Sequence, residues 1–250
     1  MTVKEITNYL NEHIPFDTAE DFDNVGHLIG DENQSVSRVF IALDATQNVI
    51  EQAIKCQASL IITHHPIIFT PLKSLMQSDL TSCILKNNLN VISLHTNLDK
   101  LPGGVNDMLA KALGLQSVRS LPASGDMGRV GELPVSMASY SFAKKVKDNL
   151  KCNGLRFVPS DREIRTVAVL GGSGEFALSS ALDAGADAFV TGEGKHHVFL
   201  EAAQKGICYV DAGHFETERV VLPFLKQSLH EAFPGLETVV ADEASPVCFV

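Results

Sequence analysis

Six short apolar runs divide the chain and have the length and composition of buried strands. They lie at residues 38–43, 59–62, 91–94, 166–170, 188–191 and 207–210. The stretches that follow them are interpreted as helices, and glycine closes several of these. This alternation predicts an α/β fold with right-handed crossovers and mostly parallel sheets flanked by helices.

The six runs form two groups of three, and strands and helices follow one another in the same order in both groups. We interpret this order as a degenerate internal repeat. Between the groups, residues 121–128 are rich in proline, serine and glycine. The sequence therefore predicts a first α/β domain at residues 1–122 and a second, similar α/β domain at residues 123–250.

Composition narrows the class of protein. The net charge of −10 repels phosphate backbones, so nucleic-acid binding is not expected. The five cysteines are scattered and form no C-x-x-C pair, which indicates reduced thiols in a cytoplasmic protein. No apolar run is long enough to span a bilayer, and no membrane association is expected.

Metal-ligand side chains follow three of the predicted strands. They are His64 and His65, then His95 and Asp99, then His214 and Glu218. Imidazole and carboxylate are the ligands that borderline or hard divalent cations select. The carboxyl ends of the strands in an open α/β sheet form the edge where ligands bind. Because this set exceeds the needs of one catalytic zinc, it predicts a site for two metal ions.

Local sequence supports the histidine pair and the last pair. Pro66 favours an extended or turn conformation at His65, which allows His64 and His65 to approach one site. His214 and Glu218 are four residues apart and share a helix face. The structural alternatives are a surface turn at the two histidines and an acidic residue that complements the helix dipole at Glu218.

Other polar residues at strand ends have more than one interpretation. His95 could be a metal ligand, a hydrogen-bond partner of a ligand or a proton shuttle. Glu193 is a candidate general base, whereas the neighbouring His196 and His197 are interpreted as lying behind the ligands or in solvent. The glycine-rich turn at 171–174 could cradle a phosphate or form a tight turn.

Several motifs in order along the chain resemble the YbgI-like (NIF-three-like) dinuclear-metal family, often labelled GTP cyclohydrolase 1 type 2 homologues. The motifs are D-N-V-G at 23–26, T-H-H-P at 63–66, H-T-N-L-D at 95–99, G-G-V-N at 103–106, G-R-V-G at 128–131, T-G-E at 191–193, G-H at 213–214 and T-E at 217–218. The resemblance covers essentially the whole chain.

The resemblance implies two similar α/β domains with two divalent ions in the cleft between them, and a toroidal homohexamer. The ligands that it implies are His64, His65, Asp99, His214 and Glu218. Zinc, iron and manganese are all open as the native metal.

Two functions follow as hypotheses. The first is a metal-dependent hydrolase in which a metal-bound water attacks the substrate, with Glu193 or His95 transferring the proton. The family label points to a purine nucleotide such as GTP, or a related small molecule, as substrate. The alternative is a metal carrier or chaperone without catalysis, or a regulatory oligomeric scaffold. A catalyst needs an open metal position and a cavity shaped for its substrate.

Overall fold

A computed structural model of the protein describes residues 1–122 and 124–250. Contacts divide the described chain into two units. The first comprises Met1–Leu98 and Leu222–Glu243, and the second comprises Asp99–Val221, apart from residue 123, and Ala244–Val250. Each unit contains one β-sheet flanked by helices, which confirms the predicted α/β fold.

The helices and strands are numbered separately in chain order. The α-helices are α1 (Val3–His13), α2 (Gln47–Lys55), α3 (Leu80–Lys86), α4 (Thr96–Lys100), α5 (Val105–Ala112), α6 (Ser139–Leu150), α7 (Leu178–Asp183), α8 (His196–Lys205), α9 (His214–Glu218) and α10 (Leu222–Ala232). The strands are β1 (Gly26–Ile29), β2 (Arg38–Ala42), β3 (Leu60–Thr63), β4 (Asn90–Ser93), β5 (Gln116–Ser120), β6 (Arg129–Met137), β7 (Arg156–Val158), β8 (Ile164–Leu170), β9 (Ala188–Thr191), β10 (Cys208–Asp211) and β11 (Glu237–Val240). Single 3-10 turns lie at Phe16–Thr18, Glu175–Ala177 and Arg219–Val221.

The sheet of the first unit has the strand order β1-β4-β3-β2-β11. Its neighbours are parallel except for β1, which runs antiparallel to β4 at one edge. Helices α2 and α3 cover one face, where Ile50 and Ile84 share a core with Phe40, Ile61 and Val91. Strands β3 and β4 are buried along their whole length, as expected for parallel strands covered on both faces.

The sheet of the second unit has the order β5-β6-β8-β9-β10-β7. Only β8, β9 and β10 are parallel, so this sheet is mixed rather than mostly parallel. Side chains alternate between its two faces along each strand. Val167 and Val169 join the core with α5 and α6, whereas Ala168 and Leu170 join the core with α7 and α8.

The internal repeat predicted from the sequence is present in the topology. In each unit three consecutive strands, β2-β3-β4 and β8-β9-β10, are adjacent and parallel. The strand before each trio, β1 or β7, runs antiparallel to its third strand. A five-residue helix, α4 or α9, follows each third strand. Equivalent loops of the two units therefore follow equivalent strand ends.

The boundary between the two units differs from the boundary that the sequence predicts. The first unit ends at Leu98, within α4, and includes α10 and β11 from near the end of the chain. Pairing of β11 with β2 covers an edge that would otherwise be open. The predicted boundary between residues 122 and 123 falls in the loop between β5 and β6, inside the second unit. Residue 123, the first of the predicted second domain, lies outside the described residues.

Two of the five cysteines are buried. The five cysteines are free thiols. Burial raises the pKa of Cys152 to about 11 and that of Cys208 to about 12, so both stay protonated near neutral pH and are poor nucleophiles. Within the described part of the chain, no helix combines the length and the apolar character needed to cross a membrane.

Candidate metal centre

Three histidines gather at the carboxyl edge of the first unit's sheet. His64 and His65 follow β3, and His95 follows the neighbouring β4. Their ring centroids lie 4.9 Å apart for His64 and His65, 5.2 Å for His64 and His95, and 5.6 Å for His65 and His95. One nitrogen of each ring lies within 4.8 Å of the other two, so the three residues could hold a metal ion.

The same nitrogen of all three rings is tied to an oxygen of the protein. The acceptors of the Nδ1 atoms are the Leu94 carbonyl for His64, Asp44 for His65 and Asp23 for His95, each at 2.8 Å. Carbonyl and carboxylate oxygens only accept, so each Nδ1 carries a hydrogen. In a neutral ring the lone pair is then on Nε2, the arrangement that metal-binding histidines use. The donor set of this edge therefore fits a transition-metal ion.

Asp23 reaches the edge through the antiparallel strand β1. Gly26 of β1 lies opposite Ser93 of β4, which brings the residues before Gly26 to the carboxyl end of β4. The Asp23 side chain is fully buried and accepts hydrogen bonds from His95 Nδ1 and from the backbone and hydroxyl of Thr96. Burial raises the pKa of Asp23, but these hydrogen bonds outweigh it and hold the pKa well below its usual range. Asp23 is therefore a charged acceptor behind His95.

The second unit places His214 and Glu218 at the two ends of α9. His214 Nε2 lies 3.1 Å from Glu218 Oε2, and His214 Nδ1 lies 2.7 Å from Glu193 Oε1. A neutral imidazole has one N–H, so it cannot donate to both carboxylates. A cation between Nε2 and Glu218 would allow the ring to donate through Nδ1 alone. These two donors thus also fit a metal ion.

The glycine-rich turn after β8 makes room for Glu218. Gly172 has a φ of +59°, and a Cβ at this position would lie 2.1 Å from Glu218 Oε1 and 3.2 Å from His214 Nε2. Three backbone N–H groups of the turn have partners inside the protein. Gly171 donates to Asn106 Oδ1, Gly172 to Thr217 Oγ1 and Gly174 to Thr191 Oγ1. The structure therefore favours a tight turn that accommodates the carboxylate over a phosphate cradle.

Each unit brings together part of the predicted site. The first gathers His64, His65 and His95, and the second gathers Glu193, His214 and Glu218. Asp99 lies in α4, where its carbonyl accepts a hydrogen bond from Asn106 Nδ2.

His196 and His197 begin α8. His197 lines a cavity of about 300 Å³ together with Glu175, Phe176 and Lys195. The lining contains none of the predicted ligands among the described residues. A position behind the ligands or in solvent stays a prediction for both histidines.

Sequence reasoning assigned no role to Asp23, Asp44 or Ser173. Asp44 follows β2 at the same edge as His65 and could have been found from that position. Asp23 follows no strand, and only the long-range pairing of β1 with β4 brings it to His95. Ser173 donates to Glu193 Oε2 at 2.9 Å from within the glycine turn. These residues hold the candidate ligands or their partners in place.

Comparisons with known proteins agree with this fold. The model of the Duf34/NIF3 (NGG1p interacting factor 3) family matches residues 1–246. The GTP cyclohydrolase 1 type 2 homolog of Clostridium acetobutylicum is 37% identical over 229 residues, which cover 87% of this chain and 85% of the relative. The crystal structure of the Staphylococcus aureus hypothetical protein SA1388 has a TM-score of 0.94 at 30% identity and covers 100% of this chain and 99% of that chain.

A third comparison concerns the fold alone. The structure of protein ybgI has a TM-score of 0.90 at 24% identity, with 99% of this chain and 100% of that chain covered. Taken with the family match, these similarities confirm the resemblance noted in the sequence. The chain belongs to the Duf34/NIF3 family.

The glycine turn provides a test of the local packing. Gly172→Ala should be more destabilising than Gly185→Ala. Both residues have positive φ values, +59° and +72°, but a Cβ at Gly185 meets nothing within 4 Å. Both variants therefore carry left-handed strain of about 1 kcal/mol, and Gly172→Ala adds overpacking against Glu218 of about 1–3 kcal/mol. Urea unfolding measures the difference, and equal losses for the two variants would contradict the proposed role of the turn.

Proposed function

We propose that this chain binds two divalent metal ions and acts as a metal-dependent hydrolase. The proposed ligands are His64, His65, Asp99, His214 and Glu218. Zinc, iron and manganese all suit a set of imidazoles and carboxylates. In such two-metal sites the ions are typically about 3.5–4 Å apart.

The observation that carries this proposal is the group of three imidazoles at the edge of the first unit. The nitrogens of His64, His65 and His95 lie within 4.8 Å of one another, each with Nδ1 tied to an acceptor, which supports two ligand imidazoles with a third imidazole beside them. A histidine in a protein core needs a hydrogen-bond partner, but it does not need two neighbouring histidines that are oriented in the same way. The Nδ1 contacts leave Nε2 of His64 and His65 for metal binding and Nε2 of His95 for proton transfer.

The second unit supports the same proposal independently. His214 and Glu218 follow β10 as His95 and Asp99 follow β4, so the repeat supplies ligand-type residues twice at equivalent strand ends. Glu218 is buried beside His214, and a buried carboxylate requires a cationic or hydrogen-bonding partner. A metal ion shared with His214 Nε2 would be one such partner.

Divalent ions, when bound, lower the pKa of a coordinated water toward 7 and so supply a nucleophile near neutral pH. Of the two proton-transfer candidates from the sequence, Glu193 and His95, we propose His95. Asp23 accepts the hydrogen bond from His95 Nδ1, which leaves Nε2 as the basic nitrogen. Glu193 is less suited because both of its oxygens already accept hydrogen bonds, from His214 and Ser173.

The substrate proposal rests on the names of relatives. The Clostridium acetobutylicum relative is named a GTP cyclohydrolase 1 type 2 homolog. On that basis we propose a purine nucleotide, or a related small molecule, as the substrate class. A substrate panel should therefore include GTP and other nucleotides as well as simple phosphoesters and amides.

A metal carrier or chaperone is the second candidate. The side chains of His65 and His95 are 23% and 20% exposed, so an ion held by them has a path to solvent for exchange. A regulatory scaffold would need an oligomer and no catalysis.

We further propose that the chain forms a homohexamer in solution. Light scattering that gives the mass of one chain would contradict this proposal.

Metal content tests the ligand proposal. Wild-type protein saturated with zinc should contain two ions per chain by elemental analysis. Glu218→Gln keeps the shape of the side chain and removes its charge, so the zinc content should fall while urea unfolding changes little. Glu201→Gln on α8 makes the same change at an exposed position and should keep two ions. One ion or none in the saturated wild-type protein would contradict the two-metal proposal.

Turnover tests the role of His95. His95→Asn should lower the rate on any substrate found in the panel by about 10²–10⁴-fold and keep the zinc content of the wild type. The control His230→Asn alters an exposed histidine on α10 and should change neither quantity.

Two results would count against this account. Loss of zinc from His95→Asn would make His95 a ligand instead. The absence of turnover by zinc-loaded wild type across the panel would favour the carrier.

A further inference from the structure

Glu193 is held at three oxygen atoms by neighbouring residues. Its Oε1 accepts from His214 Nδ1 at 2.7 Å, and its Oε2 accepts from Ser173 Oγ at 2.9 Å. Its backbone carbonyl accepts from the Tyr209 hydroxyl at 2.8 Å. A surface glutamate without a structural role would normally move freely in solvent, so these three contacts require an explanation.

Tyr209 fixes the loop that carries Glu193. Tyr209 is fully buried on β10, and its ring packs edge-on against Phe189 of β9 and Phe199 of α8. Burial raises the pKa of Tyr209 far above neutral pH, so its hydroxyl remains a donor. The loop after β9 is thereby tied to the neighbouring strand β10, which leads into α9 and His214.

The contact with Glu193 determines which nitrogen of His214 carries the hydrogen. A carboxylate accepts only, so Nδ1 donates and, in a neutral ring, the lone pair is on Nε2. Nε2 is the nitrogen that lies 3.1 Å from Glu218.

In the first unit, carboxylates also accept hydrogen bonds from Nδ1 of histidines. Asp44 accepts from His65 and Asp23 from His95, each through Nδ1 at 2.8 Å. Glu193 follows β9 at the place in the repeat where His64 and His65 follow β3. At this position of the repeat, the second unit has a carboxylate that accepts a hydrogen bond, and the first unit has two imidazoles.

We infer that Glu193 is a positioning residue that orients His214 for metal binding, and that it does not transfer protons. Tyr209 and Ser173 hold its backbone and its carboxylate in place for this purpose. The inference rests on the proposed function only in taking His214 as a metal ligand. It predicts that a change at Glu193 alters the affinity for metal, whether or not a substrate is found.

Zinc affinity of the full-length protein tests this inference. Competition with a chromophoric chelator should show that Glu193→Ala binds zinc about 10–100-fold more weakly than the wild type, the usual cost of losing such a partner. Glu193→Gln should lose less, because its amide oxygen still accepts from Nδ1. Tyr209→Phe should also show a smaller loss, since it removes only the anchor of the loop.

Glu201→Ala is the matched control. It removes one exposed carboxylate from the same unit and should keep the affinity of the wild type, which excludes an effect of net charge. Urea unfolding of Glu193→Ala should show a loss of about 0.5–1.5 kcal/mol at most, the usual contribution of a hydrogen bond, so the variant still folds. A merely structural role would lower the stability and leave the zinc affinity unchanged.

The inference is overturned if Glu193→Ala binds zinc as tightly as the wild type, or no more weakly than Glu201→Ala. Reduced turnover by Glu193→Ala at unchanged zinc affinity would also overturn it, in favour of proton transfer. Failure of the wild type itself to bind zinc would refute the metal proposal, and this result is distinct from the other two.

Discussion

A neutral imidazole presents a lone pair in one direction only, and this protein fixes that direction at four histidines of the candidate site through an acceptor on Nδ1. The acceptors are a backbone carbonyl for His64 and carboxylates for His65, His95 and His214. His64, His65 and His214 can therefore present Nε2 to a metal, and His95 can present Nε2 to a transferred proton, without first rotating. Without these acceptors the rings would have no fixed orientation.

The acceptors are available because of how the sheets are built. Parallel strands place their carboxyl ends at one edge, so successive loops carry His65, His95, Glu193 and His214 to sheet edges of the same kind. The antiparallel strand β1 adds Asp23 from the opposite chain direction. Burying Asp23 is unfavourable by itself, and its hydrogen bonds with His95 and Thr96 offset that cost. The fold and the ligand geometry therefore depend on each other.

Much of this arrangement could be predicted from the sequence because its pattern is local. The six buried strands are short apolar runs, and the ligand-type residues follow them directly. The return of β11 to the first sheet could not be predicted, because strand pairing across about 200 residues leaves no local trace. The boundary between the units and the contact of Asp23 with His95 also depend on long-range strand pairing, so they could not be predicted either. Glu193 was found as a polar strand-end residue, but its partner His214 became visible only in three dimensions.

Anomalous X-ray diffraction from zinc-loaded crystals, recorded on both sides of the zinc absorption edge, tests the central claim most directly. The account predicts two anomalous peaks per chain, about 3.5–4 Å apart. Nε2 of His64, His65 and His214 should each lie about 2.0–2.1 Å from one of these peaks. Zinc bound only elsewhere on the chain, or through the Nδ1 atoms of these histidines, would contradict it.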